Sequence, residues 1–221
     1  MSAASVPSAS HRVRRALGLL SVAAAGLCAS ASVPAQQAPE AAALPSPGPA
    51  AGATYVIDRT HTFVIYEIGH YATSTNRGRF RVRGGTVRID ADGRSAAVDI
   101  TIDVASVSTG VDALDRHLQS REFFDVAAFP VARFAADRMA LSAGRIGAAE
   151  GALTMKGVTR PVVLQGLRFN CYVSPELRRQ VCGGDFETRL RRSDFGIQWG
   201  LGVGFEDDVR LLVQVEAVQS R

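Results

Sequence analysis

Residues 98–104 read Val98-Asp99-Ile100-Thr101-Ile102-Asp103-Val104, an alternation of apolar and polar side chains. At the two-residue period of a strand, Val98, Ile100, Ile102 and Val104 share one sheet face, and Asp99, Thr101 and Asp103 share the other. A helix would scatter the same residues around its circumference. The pattern predicts a half-buried strand, and it returns along the chain. Phe80 and Val82 stand between Arg79, Arg81 and Arg83; Val87 and Ile89 flank Arg88; Val209, Leu211, Val213 and Val215 alternate with Arg210, Gln214 and Glu216. Phe63 with Ile65, and residues 131–141, 148–155, 162–169 and 185–190, supply further strands. Turn signals punctuate them at Gly84-Gly85, Asp90-Ala91-Asp92-Gly93, Lys156-Gly157 and Gly183-Gly184. So many short strands with one apolar face predict an all-β fold, an antiparallel barrel or sandwich.

One segment departs from this period. Val111, Leu114, Asp115 and Leu118 have helical spacing, with Thr109 placed to cap and Asp112 and Asp115 in the first turns. A short helix is predicted over 110–120, followed by Phe123-Phe124 and by Phe129-Pro130, where the chain turns. Inserted into an up-and-down sheet, such a helix covers one end of it.

The chain has 221 residues, 47% hydrophobic and 21% charged, which excludes a disordered or multi-span membrane protein. Its formal net charge is +4, but Arg12, Arg14 and Arg15 lie in the first thirty-five residues, where no acidic residue occurs. The remainder is nearly neutral, so charge gives no case for nucleic-acid binding. Residues 1–35 read as a signal peptide: His11 and the three arginines form a positive start, and an uncharged Ala/Leu/Ser run follows. Val33-Pro34-Ala35 and Ala29-Ser30-Ala31 are competing cleavage sites, so the mature chain starts near Gln36 or Ser32. The run is too weakly apolar to span a bilayer, and Leu27 before Cys28 is too large for a lipoprotein site. Export places the protein in the periplasm. Residues 36–53, rich in Ala and Pro, read as an extended linker, and 54–221 as the folded domain. About 165 folded residues bury roughly 70% of their unfolded surface, enough to be stable without a staple.

Past the signal, two cysteines remain, Cys171 and Cys182. In an oxidising compartment they are expected to form a disulfide between two strands, worth about 3 kcal/mol in the chain-entropy model. No Cys-x-x-Cys signature is present in the sequence, so the bridge reads as structural.

Several blocks, in order, carry a family resemblance. They are Tyr55, Ile57, Asp58, His61 and Phe63; His70 with Gly78 and Phe80; Asp115-Arg116-His117-Leu118; and Phe123-Phe124-Asp125-Val126 with Phe129-Pro130. Residues 151–162, Arg192-Ser193-Asp194-Phe195-Gly196 and Asp208-Val209 complete the set. The chain resembles the YceI-like family of secreted polyisoprenoid-binding proteins over 55–218. Leu114 departs from it, standing where the family more often has Arg. The resemblance implies an antiparallel, eight-stranded, lipocalin-like barrel with the short helix near its mouth, enclosing an apolar channel for an isoprenoid chain. It implies no catalytic role and no required cofactor; the bound molecule would be a polyisoprenoid lipid or an isoprenoid quinone.

A barrel of that size has an interior just wide enough for side chains or one small ligand. The residues expected to line it are Phe63, Ile65, Phe80, Val82, Ile100, Ile102, Phe134 and Leu164. Burying ten methylene-equivalent carbons from water is worth about 8 kcal/mol, whereas transfer out of a bilayer is close to neutral. The expected task is carrying or shielding a membrane lipid across an aqueous space. His61, His117 and Arg116 are the head-group candidates, on the expectation that the two histidines meet at the mouth. His61, His70 and His117 match no metal-site spacing, so no metal is expected. An enzyme acting through His61, His117 and Asp115 is the less favoured alternative. Ser193 and Asp194 read as turn residues. Arg77, Arg79, Arg81 and Arg83 form an outward stripe that would meet a membrane surface or a membrane electron-transfer partner, and Arg191 and Arg192 are also read as outer-face charges. An exposed edge strand would let two barrels pair as a homodimer.

Overall fold

The computed structural model describes residues 47–221; the expected signal peptide and most of the Ala/Pro-rich stretch lie outside the described residues. The chain folds as β1 (Thr54–Ile57), β2 (Phe63–His70), β3 (Ser74–Ile89), β4 (Ser95–Ser108), α1 (Asp112–Gln119), β5 (Val131–Ser142), β6 (Arg145–Ile146), β7 (Ala148–Met155), β8 (Val158–Val173), β9 (Gln180–Arg191) and β10 (Phe205–Gln219). All pairings between these strands are antiparallel.

The sheet closes on itself. β1 and β2 each pair with both β3 and β10, so together they form one interrupted stave, and β10 returns to pair with β9. With β3, β4, β5, β7, β8, β9 and β10 this makes the eight-stranded barrel. Tyr55 faces Gln219 and Ile57 faces Ala217 across the closure, bringing the start and end of the domain together. β6 is a two-residue ladder hanging from β5. Past Gly166, β8 pairs only with β9, so among the described residues 167–173 keep one edge unpaired, the kind of edge that the expected pairing of two barrels needs.

Two turn signals of the sequence prove to lie inside strands. Gly84-Gly85 falls within β3, where the register against β4 shifts between Val82 and Gly84. Gly84 has φ of 150°, a backbone open to glycine, and a Cβ on Gly85 would lie 2.4 Å from the Asp99 carbonyl. The pair is a bulge that bends a long strand around the barrel rather than ending it. Gly183-Gly184 likewise sits in β9, crossed closely by the carbonyls of Val215 and Arg168. The β8–β9 hairpin turns at 174–179 instead. Lys156-Gly157 is a true two-residue hairpin, with φ of 49° and 75°, and 90–93 is a turn as read. The β8–β9 register sets Cys171 opposite Cys182, and the two form the expected disulfide.

The part of the presumed linker that is described is bonded to the barrel. The Ala50 N–H donates to the Tyr55 hydroxyl (2.8 Å) and to Gln180 Oε1 (3.2 Å), while Gln180 Nε2 donates to the Gly48 carbonyl (3.0 Å). Gly52 N–H reaches the Asp90 carbonyl and Ile89 N–H the Ala53 carbonyl. A Pro/Ala-rich segment cannot make a core, but its backbone groups find partners at the barrel floor. The folded unit therefore starts before residue 54.

The helix begins two residues later than read, and Thr109 acts from outside it. The Thr109 N–H and hydroxyl both donate to Asp115 Oδ1 at 2.7 Å, and the Val111 N–H bonds back to Thr109 Oγ1. Asp115 thus anchors the entry to α1, as the carboxylate of a capping box does. Leu118 is buried beneath the helix, which lies across one end of the barrel.

Candidate functional site

The inward faces do not fill the barrel. A cavity of about 290 Å³ opens beneath α1 at the end carrying the β2–β3 and β7–β8 hairpins, and a chamber of about 80 Å³ lies toward the opposite floor. Ile100, Phe134, Leu164 and Val213 line both, so they form the partition. The alternation of β3, β4, β5 and β10 delivers Phe80, Val82, Ile100, Ile102, Val104, Ala132, Phe134, Val209, Leu211 and Val213 to the upper wall. Pro49 and Tyr55 border the lower chamber, where Tyr55 is almost wholly buried and its hydroxyl donates to Gln180 Oε1. Burial raises the Tyr55 pKa, keeping the floor neutral.

Of the eight residues expected on the wall, Phe80, Val82, Ile100, Ile102, Phe134 and Leu164 are there. Phe63 and Ile65 are not: β2 presents Val64, Tyr66 and Ile68 inward instead. The stretch 63–66 is apolar on both faces, so periodicity alone leaves its phase open. Glu67 held the answer, because it shares a face with Phe63 and Ile65 and belongs outside, where it pairs with Arg77 at 2.8 Å and Arg210 at 3.1 Å. The Arg79 guanidinium lies 4.9 Å over the Phe63 ring on that outer face. The inward Tyr66 ring lies over Gly78, where a Cβ would come within 2.5 Å of it, and its hydroxyl donates to Asn76 (2.9 Å). Burial, aided by the nearby Asp115 charge, raises its pKa.

The head-group candidates separate. His117, on α1, reaches the cavity, its Nε2 2.8 Å from Glu122 and its ring edge-on to Phe123 and Trp199. His61 sits at the break between β1 and β2, exposed and 2.8 Å from Asp58, and does not meet His117. The short β1–β2 interruption, invisible to periodicity, puts it on the barrel's outside. Arg116 points to solvent from the exposed side of α1. His61, His117 and Asp115 are each engaged by a different partner, Asp58, Glu122 and Thr109. Among the described residues no cluster of His, Cys, Asp and Glu suited to a metal is present.

The mouth joins His70, His117 and Phe123, already prominent in the sequence, to Tyr71, Trp199 and Phe205, which gave no sequence signal. His117, Phe123, Trp199, Phe205, His70 and Tyr71 make a chain of ring contacts with centroids 4.8–5.3 Å apart from His117 to Trp199, continuing through Phe205 at 5.4 Å. Lys156, on the β7–β8 hairpin, donates to the carbonyls of Arg121, Phe123 and Gly196, tying the loop after α1 to the segment before β10. Arg192 is the largest departure. It opens a 3-10 turn (Arg192–Phe195), is only 5% exposed, and lines the cavity rather than facing water. Its Nε donates to the Glu206 carbonyl (2.8 Å) and its Nη1 to those of Ile197 (3.3 Å) and Trp199 (2.7 Å). Burial lowers its pKa, with the Asp207 charge acting the other way. Neighbouring Arg191 does face outward and pairs with Asp194, whereas Ser193 bonds Asp207 through both its N–H and its hydroxyl. In the outer stripe, Arg77 and Arg83 are paired with Glu67 and Asp103.

The wall is therefore apolar along its depth and polar near the mouth, a shape that accepts one elongated molecule end-on. A sequence profile described as the YceI-like domain matches residues 55–217. The YceI protein of Salmonella newport is 34% identical over 177 residues, covering 79% of this chain and 91% of that one. Among solved structures, the Campylobacter jejuni YceI protein is 25% identical with a TM-score of 0.56, covering 67% of this chain and 87% of its own. A polyisoprenoid binding domain from Saccharophagus degradans, implicated in plant cell wall breakdown, shares the fold at 15% identity and a TM-score of 0.52, over 75% of this chain and 98% of its own. With the barrel, its cavity and the ordered sequence blocks in agreement, the chain belongs to the YceI-like family.

Proposed function

We propose that the protein binds a prenyl lipid, an isoprenoid quinone included, inside its barrel and carries or shields it in the periplasm. The observation that carries this reading is the cavity of about 290 Å³ whose depth is walled by Phe80, Val82, Ile102, Leu153, Val162 and Leu211. An unfilled apolar space is costly to maintain, and an apolar chain inside it recovers the missing contacts. Each buried methylene is worth about 0.8 kcal/mol against water, so a partial tail suffices for tight binding. From a bilayer the exchange is near neutral, which suits reversible loading. The export pattern of residues 1–35 and the Cys171–Cys182 bridge support the compartment. The role is binding and not turnover, a reading supported by the separate partners of His61, His117 and Asp115.

Native mass spectrometry of the protein recovered from its own host tests the proposal. A dissociable mass identified as a prenyl lipid is the expected result. A bare polypeptide that also takes up no added isoprenoid quinone overturns it.

A further inference from the structure

Among the described residues two buried side-chain polar atoms have no hydrogen-bond partner, Ser120 Oγ and Arg192 Nη2. Ser120 is off the cavity wall; Arg192 is on it. A guanidinium carries five N–H donors in a rigid fork, and here three backbone carbonyls occupy Nε and Nη1, leaving both donors of Nη2 unused. Buried donors without an acceptor are rare in native proteins, and a charged one is the most costly kind. Asp207, the carboxylate whose charge acts on Arg192, is taken by Ser193, and among the described residues no carboxylate forms an ion pair with Arg192. Carbonyl dipoles hold the group in place without cancelling its charge.

We infer that Arg192 is the receptor for the polar end of the bound molecule, its Nη2 donating to an oxygen of that end. The inference rests on the lipid-binding reading above and adds the ligand's chemistry and direction. The ligand is a chain with a terminal acceptor oxygen, as in a prenyl alcohol, phosphate or quinone, and not a plain hydrocarbon. Its head lies near the mouth beside Trp199 and Phe205, and its tail runs toward the partition at Ile100, Phe134, Leu164 and Val213. Arg suits this task better than Lys because its fork keeps two donors for the ligand after the backbone has used the rest.

The full exported protein contains a single tryptophan, Trp199, whose carbonyl accepts from Arg192, so its fluorescence reports binding at the mouth. The probes are geraniol, geranyl monophosphate and the hydrocarbon of the same skeleton. Both oxygen-bearing probes are expected to bind about tenfold or more tightly than the hydrocarbon, as one hydrogen bond to a charged donor implies. A preference for the phosphate over the alcohol identifies an anionic head; equal binding of the two identifies a neutral oxygen. In Arg192→Met the advantage over the hydrocarbon disappears while the hydrocarbon itself still binds. If that variant does not fold, the wild-type ratio alone decides. Equal affinity for all three probes overturns the Arg192 assignment and leaves lipid binding intact; binding of none overturns both.

Discussion

Phe134→Ala tests the division of the barrel interior into two spaces. The Phe134 ring is 7% exposed, borders both the 290 Å³ cavity and the 80 Å³ chamber, and lies over Gly151, where a Cβ would sit 2.6 Å from its Cζ. Phe-to-Ala in a packed core costs about 3–5 kcal/mol. Here the ring already lacks neighbours on two sides, so the lower end, about 3 kcal/mol, is expected. In a domain of this size that lowers the midpoint of thermal unfolding by about 6–12 °C. Ligand binding should move the opposite way. The truncation joins the chambers, and the lower one adds room for roughly two methylene-sized groups. Two more buried methylenes are worth about 1.6 kcal/mol, or about 15-fold in affinity. Calorimetric unfolding of the ligand-free variant gives the first quantity, and titration with saturated chains of increasing length gives the second. In the wild type, affinity should stop rising once the chain reaches the partition; in Phe134→Ala it should continue for about two more carbons. A variant with wild-type stability, or with the wild-type length limit, refutes the partition.

Lys156→Met should release the loops at the mouth, because the ammonium alone joins the carbonyls of Arg121, Phe123 and Gly196. A stability loss of about 1–2 kcal/mol is expected for partly exposed charged hydrogen bonds, with ligand dissociation at least severalfold faster by stopped-flow fluorescence; an unchanged off-rate would remove the latch. The Asp58–His61 pair predicts a pH window. Burial acts to raise the Asp58 carboxyl, but hydrogen bonds from the Thr60 hydroxyl, His61 and the Thr60 N–H outweigh it and hold it down at about 2. The hydrogen bond to Asp58, and then its charge, raises His61 above its ordinary 6.5. The Asp58 contribution is complete above 3.8 and is lost as the pH falls toward 2. That of His61 is complete below 6.5 and is lost as the pH rises through its elevated folded value. Urea unfolding of wild type and Asp58→Asn should therefore differ most near pH 5 and converge in strong acid; a constant difference across pH would show the pair to be electrostatically inert.

Where one face of a strand is charged and the other apolar, as in β3, β4 and β10, the alternation named the inward residues correctly. In β2 both faces of 63–66 are apolar, and the phase rested on Glu67, one charged residue whose partners Arg77 and Arg210 come from other strands. Gly84-Gly85 carries the same local signal whether it ends a strand or bulges it; the choice is made by Asp99 and Ile100 across the ladder. Arg192 resembles Arg191 in sequence, yet its burial depends on the carbonyls of Ile197, Trp199 and Glu206, which accept its N–H groups as residues 197–206 fold over it. Lys156 is visible in sequence only as the first residue of a tight turn, while the carbonyls it holds lie 33 to 40 positions away. The barrel was legible because it is a repeated local pattern. The roles of Arg192 and Lys156 at the mouth were not, because both side chains are held by backbone carbonyls that any sequence supplies.

The barrel's closure also sets an order in time. β10 is the last strand of the chain and pairs with β9, β2 and β1, so Tyr55 waits for Gln219 before the ring is complete. Contacts between such distant residues form late. Until residues 205–219 have joined the sheet, Val209, Leu211 and Val213 are missing from the wall and the interior is an open trough, not a smaller vessel. The enclosed interior comes into being only when β10 joins the sheet, and a chain without that strand would have no inside.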